Sequence, residues 1–90
     1  MNVSPQTVRD QIHHRLTERL QPSALNVIDE SAAHAGHAGA NASGQGSHIR
    51  VCIASPLFTG ISRVQRHRLV YDALQDFIDQ GLHALAIELI

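Results

Sequence analysis

Ninety residues carry seven arginines, no lysine, eight carboxylates and seven histidines, for a formal net charge of −1. A chain of this length makes one domain, spanning 1–90, and is too small to enclose a large substrate cavity. The near balance of charge removes the cationic surplus that non-specific nucleic-acid binding draws on, and leaves room only for a local patch.

The amino-terminal MNVSPQTVRDQ is polar from the start and lacks the charged-then-apolar pattern of an export signal. Ser4 and Pro5 suit a helix start. Val8, Ile12, Leu16 and Leu20 then recur every fourth residue, and Pro22 closes the run, so the spacing predicts a helix over 5–20. Residues 24–30 alternate Leu25 and Val27 against Asn26 and predict a strand. Residues 31–47 change character to Ala, Gly, Ser and His with no large side chain. They are expected to form a flexible, functional loop.

Residues 48–55 alternate again: Ile49, Val51 and Ile53 face one way and His48, Arg50, Cys52 and Ala54 the other. Pro56 ends that strand. After Gly60 a second helix is predicted over 63–79, with a buried stripe of Val64, His67, Val70 or Tyr71, Leu74, and Phe77 or Ile78. Gly81 suits its carboxyl-terminal cap. Residues 82–89 predict a last strand, with His83, Leu85, Ile87 and Leu89 on one face. The order α-β-β-α-β gives an α+β, two-layer fold, with helices on one face of a small three-stranded mixed sheet. A right-handed crossover through the second helix makes the last strand parallel to one neighbour.

Few residues suggest catalysis. There is no strand-to-helix nucleophile elbow, no Walker motif and no dinucleotide fingerprint, so the expectation is a protein that is not an enzyme. Cys52, the single cysteine, excludes an intramolecular disulfide and a self-contained thiolate cluster site, which suits a reducing compartment. No run approaches transmembrane length. The expected setting is cytoplasmic, with no membrane partner.

Histidines are the better candidates. His34-Ala-Gly-His37-Ala-Gly is a short tandem repeat in which glycine lets the backbone wrap around a ligand; a solvated loop with incidental histidines is the competing reading. His83 opens the last strand at the rim of the sheet, where a half-buried imidazole can be oriented. Its competing role is a core-edge histidine bonded to a carbonyl. His67, on the apolar stripe, reads as buried and hydrogen-bonded. Arg63, Arg66 and Arg68 form a local basic patch suited to phosphate or an acidic partner. Phe58-Thr59-Gly60-Ile61 lacks the second glycine of a GXXG nucleic-acid loop.

Asp29-Glu30-Ser31, His34-Ala-Gly-His37-Ala-Gly, His48-Ile-Arg-Val51, Phe58-Thr-Gly60, Arg66-His-Arg-Leu-Val70 and His83-Ala-Leu-Ala-Ile87 stand in the order and spacing of the BolA family. The chain resembles the family's histidine-loop type across nearly its whole length, with Ile49 where the family commonly has an aromatic. The resemblance implies a fold similar to class II KH domains. It also implies pairing with a monothiol glutaredoxin carrying a CGFS motif, and a bridging [2Fe–2S] cluster completed by the glutaredoxin cysteine and glutathione. His83 matches one cluster ligand; His34 aligns best with the second, and His37 is its alternative. Two imidazoles on one iron would be Rieske-like and raise the cluster potential. No cofactor is expected in the isolated chain, which would be a monomer or weak homodimer. The resemblance implies, as the alternative, DNA-binding transcription regulation of morphology and stress responses through Arg63, Arg66 and Arg68.

Overall fold

The computed structural model describes residues 7–30 and 48–90. Their order is α1 (Val8–Leu20), β1 (Ala24–Asp29), β2 (His48–Ala54), a 3-10 turn (Pro56–Phe58), α2 (Arg63–Ala73), α3 (Gln75–Asp79) and β3 (Ala84–Leu89). The strands form one sheet in the order β1-β2-β3. β1 runs antiparallel to β2, and β3 runs parallel to it. The result is the expected α+β arrangement with a small mixed sheet. Among the described residues no helix is long and apolar enough to cross a membrane.

The four-residue period of α1 buries Ile12, Leu16 and Leu20 against the sheet. The helix starts later than Ser4 and Pro5 suggest. Thr7 is extended, and its hydroxyl accepts the Asp10 N–H at 3.1 Å, so Thr7 is the cap. Ser4 and Pro5 lie outside the described residues, as does the whole predicted loop at 31–47.

The strict alternation of β2 is realised. Ile49, Val51 and Ile53 are buried under the helices, while His48, Arg50, Cys52 and Ala54 are half-buried on the opposite face. Ser55 fixes the exit from β2. Its hydroxyl donates to the Leu20 carbonyl at the end of α1 and accepts the Leu57 N–H at 3.1 Å.

The second helical segment departs from expectation in two ways. It breaks at Leu74, whose φ of −112° and ψ of 12° leave helical geometry, and whose N–H is shared between Val70 and Tyr71 carbonyls. Its buried face is Val70, Ala73, Leu74 and Phe77. Val64 is 66% exposed and Tyr71 39%, and His67 is half-buried instead of a core residue. The segment reaches the core from Leu69 and Val70 onward, and Val64 in its first turn faces outward.

Arg15 joins α1 to this break. Its guanidinium binds both Asp76 carboxylate oxygens at 2.6 and 2.9 Å, donates to the Ala73 carbonyl at 2.9 Å, and lies 5.1 Å from the Phe77 ring centroid. One side chain thus supplies a bidentate ion pair and a helix-end donor together.

Candidate functional site at the strand starts

α3 ends in a turn that determines where His83 stands. Gln80 closes the helix and Gly81 follows at φ +128°. The Gly81 N–H reaches the Ile78 carbonyl at 3.3 Å, and the Leu82 N–H reaches Phe77 at 2.9 Å. These paired bonds make a Schellman motif, with Leu82 and Phe77 both in the core. The predicted cap role of Gly81 therefore holds, one position beyond the capping residue. The chain then emerges with His83 as the last residue before β3, which begins at Ala84 instead of residue 82.

His83 is exposed, not half-buried. Among the described residues it makes no hydrogen bond, so the core-edge role does not apply to it. Its neighbour is a second imidazole. The parallel register sets His48 beside Ala84, and the His48 and His83 rings lie 5.8 Å apart between centroids, tilted by 58°. The Glu30 N–H donates to the His48 carbonyl at 2.8 Å, so residues 31–47 leave β1 and enter β2 at this same end of the sheet. His34 and His37 belong to that segment and lie outside the described residues.

Sequence reasoning missed His48. The usable signal was that two strands predicted to run parallel each open on a histidine, which places both rings at one end. Among the described residues no group of three His, Cys, Asp or Glu is arranged to hold a metal ion. His48 and His83 therefore offer at most two nitrogen donors, and any further ligands must come from elsewhere.

Cys52 stands apart from this pair. It is four residues further along β2, about 13 Å at the rise of a strand. Its thiol donates to Glu88 Oε2 at 3.1 Å. That hydrogen bond first, then burial, then the Glu88 charge, push the thiol above its ordinary range. The metal-binding form of cysteine is the thiolate, which this setting disfavours. Arg50 completes the surface cluster, with Nε 3.1 Å from Glu30 and Nη1 3.3 Å from Glu88.

The predicted arginine patch separates into two parts. α2 starts with a capping box in which Ser62 and Gln65 satisfy each other's backbone N–H groups at 3.1 Å. Arg66 folds back, its Nε donating to the Ile61 carbonyl at 3.0 Å. Arg63 and Arg68 are exposed and make no ion pair among the described residues. With Val64, His67 and Tyr71 they line a concavity of about 500 Å³. This surface can meet an anionic group, and two arginines supply it instead of three.

Comparison with known proteins agrees with this architecture. The model of the BolA-like protein family matches residues 16–90. An uncharacterized protein in the cobS 5′ region of Sinorhizobium sp is 46% identical over 91% of this chain and 88% of its own length. The DNA-binding transcriptional regulator BolA of Escherichia coli is 36% identical, covering 89% of this chain and 71% of that protein. The solved BolA domain of SufE1 from Arabidopsis thaliana superposes with a TM-score of 0.80 at 40% identity, covering 96% of this chain and 93% of that one. The match to the full SufE-like protein 1 of Arabidopsis thaliana spans only 21% of its length. The fold, the family match and these relatives agree: the chain belongs to the BolA-like protein family.

Proposed function

We propose that the chain is a non-catalytic adaptor that pairs with a monothiol CGFS glutaredoxin and contributes part of a shared [2Fe–2S] site, in iron–sulfur trafficking or iron regulation. The observation that supports this most directly is the exposed His83 imidazole, which makes no hydrogen bond among the described residues, at the end of the sheet where β1 ends and β2 begins. A neutral imidazole is a competent iron ligand. An incomplete donor set on the surface is what a site shared between two proteins requires. His83 is the primary ligand, with His34 as the second and His37 as its alternative. When bound, the cluster would supply electron or cluster transfer. This chain's part is to present nitrogen donors on a rigid strand start, with His48 packed against the His83 ring. A reducing, cytoplasmic compartment fits a partner site that depends on free thiols.

The test is to mix the chain with a CGFS glutaredoxin, iron, sulfide and glutathione, and to record the visible absorption and circular dichroism of the heterodimer. His83→Ala is expected to shift that spectrum or shorten the lifetime of the coloured species, and His34→Ala and His37→Ala identify the second ligand. A spectrum and lifetime unchanged by His83→Ala would remove it as a ligand.

A second reading has its own support. The Escherichia coli relative is named a DNA-binding transcriptional regulator, and Arg63 and Arg68, exposed and without an ion pair among the described residues, can meet phosphate. It predicts salt-sensitive duplex binding that weakens when both are neutralised. Duplex affinity that ignores those changes rules it out.

A further inference from the structure

The outer edge of β3 is built for a task that the histidine end does not use. Among the described residues β3 has β2 as its single strand neighbour. Ile90 donates its N–H across to the Ile53 carbonyl at 3.0 Å. In a parallel strand alternate residues direct their backbone groups to opposite sides. Leu85, Ile87 and Leu89 therefore turn their N–H and C=O groups to the open edge. The Tyr71 hydroxyl, 3.5 Å from the Leu85 carbonyl, covers one end of that row. Among the described residues no strand covers the backbone groups of Ile87 and Leu89.

α2 runs beside this edge and makes it a groove. Arg63, His67, Ile87, Leu89 and Ile90 line a concavity of about 500 Å³. It shares Arg63 and His67 with the concavity that holds Val64, Arg68 and Tyr71. Val64 is two-thirds exposed, an apolar side chain without cover. Glu88 also borders the groove, but its carboxylate is turned to Arg50 and Cys52 on the sheet's outer face. Among the described residues Arg63 and Arg68 have no carboxylate partner, and theirs is the groove's uncompensated charge.

We propose that this edge accepts an extended acidic peptide of a partner protein, added as a fourth strand beside β3. The open N–H and C=O groups recur every second residue, about 6.6 Å apart, which is the repeat of an extended chain. Side chains on one face of that peptide enter the groove, the apolar ones against Val64 and Tyr71 and the carboxylates against Arg63 and Arg68. A second copy of this chain would bring like charges to the same place. A nucleic acid would satisfy the arginines but offer no ladder to Ile87 and Leu89. The site runs along β3 toward its carboxyl end, and neither metal nor His83 enters it.

The experiment uses the full chain, isotopically labelled, and a short fluorescent peptide with threonine at every second position and valine and glutamate by turns at the positions between, so that one face carries both. The peptide is expected to bind one to one, to shift the Ile87 and Leu89 amide signals, and to slow their exchange with solvent. Arg63→Gln combined with Arg68→Gln should weaken binding about tenfold, the effect of two exposed ion pairs. Peptides N-methylated at alternate residues separate pairing from simple charge attraction: one register loses binding and the other keeps it. The proposal is overturned if the peptide fails to bind, if both methylated registers bind alike, or if the double glutamine variant binds unchanged. It is equally overturned if the Ile87 and Leu89 amides respond only to an oligonucleotide or to self-association.

Discussion

Replacing Gly81 with alanine tests how the His83 end of the sheet is held. At φ +128° the residue lies where L side chains are rarely found, while an added Cβ would meet nothing within 4 Å. The cost is therefore backbone strain with no clash, roughly 1–3 kcal/mol. It is offset in part by the loss of unfolded-state freedom when glycine becomes alanine, about 0.4–1 kcal/mol. A net destabilisation of about 1–2 kcal/mol lowers the Tm of a domain this size by roughly 5–15 °C. The strain falls on the turn whose N–H groups reach Ile78 and Phe77, so the Leu82 and His83 amide signals should move most. Thermal melting followed by far-ultraviolet circular dichroism, with amide spectra of the folded variant, measures both effects. An unchanged or raised Tm would refute the reasoning, because it would mean that the turn does not need glycine.

Two further outcomes follow from the side-chain pairs. Arg15 holds the Asp76 carboxyl below the usual carboxylate range, chiefly through their hydrogen bonds. A depressed folded-state pKa adds stability above the unfolded-state value and loses it as pH falls through the folded one. Urea midpoints measured from neutrality down through about pH 5 to 2 should fall less steeply for Asp76→Asn than for the parent; parallel curves would contradict the pairing. Glu88 pushes the Cys52 thiol above its ordinary range, first through their hydrogen bond, so Glu88→Gln should raise the thiolate fraction and speed alkylation by iodoacetamide near neutral pH. An equal rate in both proteins would show that Glu88 does not control the thiol.

The elements that were legible in the sequence share a property: a local pattern decided them. Ile49, Val51 and Ile53 alternate without interruption, and Ile12, Leu16 and Leu20 keep their helical interval, so burial followed from spacing. Gly81 was readable because only its residue type suits the turn. The second helix was misread because periodicity assumes one continuous face against one core. The break at Leu74 and the helix's amino-terminal half, which runs past the edge of β3, violate that assumption. Val64, His67 and Tyr71 therefore looked buried and instead line a groove. At the candidate site, His83 was visible as a rim residue. Its approach to His48 was not, because their closeness comes from the parallel register between residues 35 positions apart. Arg66 looked equal to Arg63 and Arg68 in sequence. Its bond to the Ile61 carbonyl depends on a turn whose shape no spacing encodes.

Topology explains why His48 and His83 meet at this end. β2 is antiparallel to β1 and parallel to β3, so the end of β1, the start of β2 and the start of β3 lie together. An all-antiparallel sheet of the same strands would send the start of β3 to the opposite end and part His83 from His48. The crossover through α2 and α3 is therefore what brings the two imidazoles together, and the Gly81 turn decides how His83 arrives. Both rings stand next to strands held by backbone ladders, while the segment carrying His34 and His37 joins the sheet at Glu30 and His48. In the proposed shared site the fixed donor is thus the strand-start histidine. In that proposal the position of His83 follows from the parallel crossover and the Gly81 turn, and the pairing of β2 with β3 holds it there.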